Sequence, residues 1–152
     1  MSQIGKSEIQ TEIKASAEKF YEILCKPNLL PKTAPNVVKD IQLVSGEWNT
    51  KGSVNQWKTY VSGKLETTNV AMEDIDVMNK SITYKPVHGE CLIYYNTIKG
   101  VMQIKPKCTN QGNLAKWTLE YETKNDCVPP PNQYLEMLDN ITKGVDAYLL
   151  NA

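Results

Sequence analysis

Three consecutive prolines at positions 129–131 divide the chain into a strand-rich part and a single long helix. On the N-terminal side, apolar residues recur with the two-residue period of β-strands. On the C-terminal side, residues 132–150 carry an apolar stripe at helical spacing. Since proline cannot donate to a β-ladder, the prolines end the sheet. The one helix must then bury its stripe against the concave face of a curved sheet, and the space left between them is a candidate binding site.

Seven strands and two short helices are predicted before the prolines. A strand at residues 4–14 is followed by Ser16, a good helix N-cap, and by a helix that Pro27 ends. Residues 28–34 predict a second short helix, so that two helices meet in a V. The other strands are separated by short turns, which implies an antiparallel sheet and an α+β protein. These strands are predicted at residues 37–44, 54–61, 65–76, 81–87, 91–105 and 114–123, with a polar turn at residues 109–113.

Composition excludes several classes of function. The 152 residues suit one domain, residues 1–152, and the net charge is zero. All 17 basic residues are lysine, so the bidentate arginine contacts that recognise nucleic acid and phosphate are missing, and we expect no nucleic-acid partner. Four scattered cysteines and one histidine predict no metal site and no cofactor. No apolar signal core or membrane-length run is evident, so we expect a cytoplasmic protein with reduced thiols and no membrane insertion.

The glycine-containing loop at residues 45–53 invites a phosphate-binding interpretation, which its chemistry opposes. A phosphate-binding loop ends in Gly-Lys-Ser/Thr and continues into a helix whose N-terminus faces the anion. Here Lys51 precedes Gly52, and a predicted strand follows. The loop is therefore interpreted as a hairpin connection whose glycines supply unusual backbone angles.

Several segments resemble one plant family, over nearly the whole chain and in the same order. They are residues 28–32 (NLLPK), 46–54 (GEWNTKGSV), 94–100 (YYNTIKG), 117–122 (WTLEYE) and 146–150 (DAYLL). These stretches resemble the family typified by the major birch-pollen allergen, also called pathogenesis-related class ten proteins. Within that family the chain is similar to the major latex protein subfamily.

The resemblance implies a helix-grip, START-like fold, in which a seven-stranded antiparallel sheet surrounds a long C-terminal helix and leaves an internal hydrophobic cavity. It also implies a defence- or stress-related binding or carrier protein for amphipathic plant metabolites of the hormone, flavonoid, steroid, terpenoid or alkaloid type. Such a protein is expected to be a monomer or weak dimer, with pathway enzymes as possible partners. The alternative is a cyclase or isomerase of specialised metabolism that uses the same cavity.

The resemblance also implies a set of ligand-binding residues. Side-chain alternation supports its strand members, because alternate residues of a strand share one face. For each residue the competing interpretation is ordinary core, since core and cavity wall have the same composition. The set is Phe20, Ile23, Val38, Trp57, Thr59, Ile82, Tyr84, Pro86, Asn96, Ile98, Gly100, Met102, Met137, Leu138 and Ile141.

Polar members of this set suggest particular chemistry. Thr59, Tyr84 and Asn96 are predicted to give a ligand directional hydrogen bonds. In the enzymatic alternative, His88 or Tyr84 moves a proton, since histidine is the side chain whose ordinary pKa lies near neutrality. The competing interpretation of His88 is an exposed histidine at a strand end.

Overall fold

The computed structural model describes residues 1–108 and 112–152. Most of the predicted polar turn at residues 109–113 therefore lies outside the described residues. Within them, helices and strands follow the predicted order. The bounds are β1 Ile4–Ile13, α1 Ala17–Cys25, α2 Leu30–Thr33, β2 Val38–Ser45, β3 Val54–Val61, β4 Lys64–Asp76, β5 Ser81–Gly89, β6 Tyr95–Pro106, β7 Asn113–Thr123 and α3 Asn132–Leu150.

The seven strands form one antiparallel sheet in the order β1-β7-β6-β5-β4-β3-β2. The first strand thus pairs with the last, and α1 and α2 carry the chain from β1 to β2 at the opposite edge. Since side chains alternate along a strand, one row from each strand faces α3. The predicted seven-stranded antiparallel sheet and the two short helices are confirmed.

The C-terminal half of α3 is fastened to the sheet by buried polar contacts. The indole N–H of Trp117 on β7 donates to the Thr142 hydroxyl at 2.8 Å. The Asp146 carboxylate accepts the backbone N–H of Ala15 at 2.8 Å, just after β1. These contacts hold one half of the helix against β1 and β7, while its N-terminal half lies over the centre of the sheet.

Two local expectations are also confirmed. Ser16 caps α1, because its hydroxyl accepts the backbone N–H of Lys19 at 3.2 Å. The loop between β2 and β3 is a hairpin connection in which Gly52 has a φ of 88° and donates its N–H to the Met72 carbonyl at 2.8 Å. That φ lies in the left-handed region, where glycine is favoured.

The strand predicted at residues 91–105 begins too early. A 3-10 turn at Glu90–Ile93 precedes β6 instead. The cause lies at Gly89, whose φ is 141° and where a Cβ atom would approach the Thr67 carbonyl oxygen to 2.6 Å. The chain bends at this glycine, and the turn buries Cys91 in the interior.

Candidate functional site

A cavity lies between the N-terminal half of α3 and the inner face of β3 to β7. Its volume is about 80 Å³, counted as the positions open to the centre of a water molecule, and the surrounding protein-free space of about 630 Å³ is partly open to solvent. Within residues 1–108 and 112–152, its wall contains no Asp, Glu, Lys or His. The lining residues are Trp57, Thr59, Thr68, Val70, Tyr84, Pro86, Cys91, Ile98, Gly100, Trp117, Leu119, Tyr134, Met137 and Leu138.

An aromatic cluster forms one wall of the cavity. The rings of Trp57 and Tyr84 meet edge to face with centroids 5.7 Å apart, and those of Tyr84 and Trp117 stack at 5.6 Å. The Tyr84 hydroxyl donates to the backbone carbonyl of Leu24 at the end of α1, at 2.9 Å. Because ring packing and this hydrogen bond both hold Tyr84, the wall presents ring faces rather than a free hydroxyl.

Volume in the cavity comes partly from a missing side chain. Gly100 on β6 lies directly between Tyr84 of β5 and Leu119 of β7 in the sheet. A Cβ atom at this position would lie 3.4 Å from a Leu119 methyl carbon, which is ordinary van der Waals contact. Neighbouring atoms therefore do not require a glycine at position 100. The effect of the missing side chain is to leave space in the cavity between the sheet and α3.

About half of the sequence-predicted ligand-binding residues lie in the cavity wall. These are Trp57, Thr59, Tyr84, Pro86, Ile98, Gly100, Met137 and Leu138. Side-chain alternation and the stripe of α3 bring them together. That any of them binds a ligand remains a prediction.

The other predicted residues lie elsewhere. Asn96 is exposed and donates its side-chain N–H to Glu122 at 2.9 Å, because it is on the outer face of β6. Ile23 is half-buried and packs against the core. Fully packed core positions are occupied by Phe20, Val38, Ile82, Met102 and Ile141, each at most 1% exposed. These side chains face inward as predicted, and they lie where the helices pack directly against the sheet and leave no space for a ligand.

Sequence reasoning missed several lining residues. Thr68 and Val70 share the inner face of β4, and Trp117 and Leu119 share that of β7, so strand alternation alone could have found them. Tyr134 lies on the apolar stripe of α3 and could have been found from helical spacing, whereas Cys91 was harder to find. Cys91 reaches the wall only because of the 3-10 turn, which has no clear sequence signal beyond the preceding glycine.

Ionisable groups at the cavity are held in their neutral forms. Burial raises the pKa of the Cys91 thiol to about 11, and the nearby Glu66 carboxylate adds to the shift. Burial likewise raises the pKa of the Tyr134 hydroxyl, which donates to Glu66 Oε1 at 2.8 Å. Near neutral pH the thiol is therefore protonated and a poor nucleophile.

His88 does not belong to this site. It is exposed at the end of β5, where it faces a surface groove rather than the cavity. The exposed-histidine interpretation agrees with this position. Tyr84, the other candidate for proton transfer, uses its hydroxyl against Leu24, and burial raises its pKa.

A second, solvent-facing groove adjoins the cavity at one residue. Met137 lines both spaces, from the N-terminal half of α3. The groove's lining includes the polar residues Asn36, Ser62 and Gln133, and Gly63 of the β3–β4 turn. The flexible thioether side chain of Met137 borders both the outer groove and the inner cavity.

The described residues contain no group of three or more His, Cys, Asp or Glu side chains close enough to hold a metal ion. In residues 1–108 and 112–152, no helix is both long and apolar enough to cross a membrane. All four cysteines are free thiols.

Comparison with known proteins agrees with this geometry. The sequence pattern of the pathogenesis-related protein Bet v 1 family matches residues 2–152. MLP-like protein 43 of Arabidopsis thaliana is 33% identical over 150 residues, which cover 98% of this chain and 95% of that protein. Ginseng major latex-like protein 151 from Panax ginseng superposes with a TM-score of 0.91 at 28% identity, covering 97% of this chain and 98% of that one.

A more distant structure shares the fold alone. A START superfamily protein from Mycobacterium smegmatis superposes with a TM-score of 0.74 at 17% identity, over 96% of this chain and 97% of that one. The chain therefore has a helix-grip fold and belongs to the Bet v 1 family of pathogenesis-related proteins, with major latex proteins among its relatives.

Proposed function

We propose that this protein binds and carries a neutral, amphipathic small molecule in the cavity beneath α3. The observation that supports this most is the character of the wall, which combines a cluster of three packed aromatic rings with aliphatic side chains and, in the part of the chain that the structure describes, contains no charged residue. Such a wall stabilises a ligand by removing its apolar surface from water, at about 25 cal/mol per Å².

Electrostatics favour a neutral ligand over an anion. A carboxylate or sulfonate moved into this cavity would lose its hydration without meeting a cation in the wall. Glu66, which is 8% exposed and is hydrogen-bonded to the cavity residue Tyr134, would oppose a second negative charge. Neutral flavonoid, steroid or terpenoid ligands therefore fit this site better than fatty acids or other organic anions.

Ligand access is proposed to occur through the polar groove that meets the cavity at Met137. This route is supported by Met137, which lines both the groove and the cavity. A thioether side chain can change rotamer without losing a hydrogen bond, which suits it to open and close such a route.

The physiological setting belongs to the same proposal. A cytoplasmic location and a role in a defence or stress response are part of the proposal, and the pathogenesis-related description of the family supports the second of these. The cyclase or isomerase alternative has no comparable support, because His88 is outside the cavity and the Tyr84 hydroxyl is already hydrogen-bonded.

Two fluorescent probes with one skeleton test the proposal. N-phenyl-1-naphthylamine is neutral, whereas 8-anilinonaphthalene-1-sulfonate adds a permanent negative charge to that same framework. The proposal predicts saturable binding of the neutral probe at micromolar concentrations and at least tenfold weaker binding of the anion. Absence of saturation by the neutral probe below about 1 mM, or equal affinity for the two probes, would refute it.

A further inference from the structure

Three alternate residues, one just before β3 and two within it, bury polar atoms that have no hydrogen-bond partner among the described residues. The atoms are Ser53 Oγ, both Asn55 amide atoms and Trp57 Nε1. The side chains are nearly inaccessible, with 1%, 0% and 6% of their surfaces exposed. Since they alternate along the chain, they share the inner face of the sheet. We refer to these three residues as the β3 polar strip.

The β3 polar strip continues from the wall of the cavity. Only Trp57 of the strip is a lining residue, and Asn55, two positions before it, is fully buried directly behind the wall. Across the sheet, Asn55 is directly opposite Val70 of β4, which also lines the cavity. Asn55 thus has a lining residue on each of two sides. Ser53 extends the row toward the hairpin loop, where its carbonyl accepts the N–H of Met72 at 2.9 Å.

Unpaired polar atoms in a protein interior oppose folding. Each gives up its hydrogen bonds to water and receives none from the protein, and for this reason native structures contain few of them. An apolar side chain of similar shape at position 55 would avoid that cost. Four such atoms in one row, beginning at a cavity wall, are therefore better explained by something that the cavity receives than by the needs of the fold.

We infer that the β3 polar strip binds the polar end of the cavity ligand, and that this end is a neutral group with a hydrogen-bond donor and acceptor side by side. A carboxamide or a hydroxy-carbonyl group has this pattern. The inference rests on the proposed function, since the apolar body of the same ligand lies against the aromatic wall.

The side chains of the β3 polar strip determine which ligand group can form hydrogen bonds with them. The Asn55 amide offers both a carbonyl acceptor and N–H donors, so it pairs with a carboxamide through two hydrogen bonds. The Trp57 indole only donates, and it suits the ligand's carbonyl oxygen, whereas the Ser53 hydroxyl does either. An ionised carboxylate lacks the donor that Asn55 Oδ1 requires, and it meets no cation.

Three naphthalenes with different ends supply the test. Naphthalene-2-carboxamide, naphthalene-2-carboxylate and 2-isopropylnaphthalene are compared by displacement of N-phenyl-1-naphthylamine from the full chain. The inference predicts that the carboxamide binds at least tenfold more tightly than the isopropyl compound, and that Asn55→Leu abolishes this ratio. Gln56→Leu, which removes an amide from the opposite face of the same strand, should leave the ratio unchanged.

The outcomes separate the two proposals. If the neutral probe fails to bind the unmodified protein, the proposed function is wrong. Suppose instead that the probe binds equally well to the unmodified protein and to Asn55→Leu. If the unmodified protein then shows no preference for the carboxamide, or if Asn55→Leu keeps that preference, the inference about the β3 polar strip is wrong while the proposed function stands. Ordered water on these atoms would give that second result. Should Asn55→Leu fail to fold, Ser53→Ala and Trp57→Phe replace it, and each should reduce the ratio about threefold or more; no reduction in either overturns the inference.

Discussion

Replacing Gly100 with valine should fill the cavity while stabilising the protein. Gly100 is in the middle of β6, and a Cβ atom there would make ordinary contact with Leu119, so the new side chain has room to enter. Its two methyl groups would project into the space beneath α3 that Trp117 and Leu138 also line. Valine moreover favours strands, in which glycine is conformationally costly.

The magnitude follows from the added carbons. Three buried carbon atoms contribute about 0.8 kcal/mol each, or roughly 2.4 kcal/mol, and the loss of glycine freedom adds about 0.5–1 kcal/mol. The contact with Leu119 subtracts from this sum, so a net gain of about 1–3 kcal/mol is expected. For a chain of 152 residues, each kcal/mol raises the melting temperature by roughly 2–4 °C.

Ligand affinity should move in the opposite direction. If three carbons of the ligand lose their place in the cavity, binding weakens by about 2.4 kcal/mol, which is roughly 50-fold. Thermal unfolding followed by circular dichroism and titration with N-phenyl-1-naphthylamine measure the two effects. As a control, Thr97→Val replaces a hydroxyl by a methyl group of similar size on the exposed face of β6, and it should change neither the melting temperature nor the affinity for the probe. A destabilised Gly100→Val protein, or one that binds the probe normally, would show that the valine side chain does not enter the ligand's space.

Three further predictions concern the walls of the cavity. Tyr84→Phe should cost about 1–2 kcal/mol of stability through the lost hydrogen bond to Leu24, yet change the probe's Kd less than twofold; a large loss of affinity would show that the hydroxyl meets the ligand. Met137→Ala should raise the association rate of the probe several-fold in stopped-flow measurements, and an unchanged rate would exclude this access route. Burial raises the Cys91 pKa from 9.0 to about 11, so this thiol's contribution to the free energy of unfolding should be constant below pH 9 and decrease between pH 9 and 11, where the unfolded thiol loses its proton first. Cys91→Ala should make that decrease smaller in denaturant titrations, and the part that remains belongs to other buried groups such as Tyr84 and Tyr134, whose pKa values burial also raises.

The architecture was largely predictable because each element has a strong local signal. Alternation predicts the strands, and the prolines before Asn132 together with the stripe on α3 predict the final helix with its observed bounds. The start of β6 was not predictable in this way. It depends on a close approach between Gly89 and the Thr67 carbonyl, which is a contact between strands and leaves no mark in a single sequence.

The candidate site was only half predictable for a similar reason. Alternation identifies which side chains face inward, but it does not say how far along a strand the helix leaves the sheet. Ile82 and Tyr84 share one face of β5, and the first is fully packed while the second borders the cavity. That difference depends on where α3 is anchored, through Thr142 and Asp146, at its C-terminal half. Asn96 was misplaced for a separate reason: Tyr95 and Thr97 flank an irregularity in the β6–β7 register.

The central claim is that a neutral ligand occupies the space between the aromatic wall and the N-terminal half of α3. Nuclear Overhauser effects between N-phenyl-1-naphthylamine and methyl-labelled protein measure this directly. Contacts are expected between the probe and the methyl groups of Ile98, Leu119, Met137 and Leu138, all of which line the cavity. Contacts confined to exposed methyl groups such as those of Ile4 and Ile93, with none from the cavity wall, would contradict the claim.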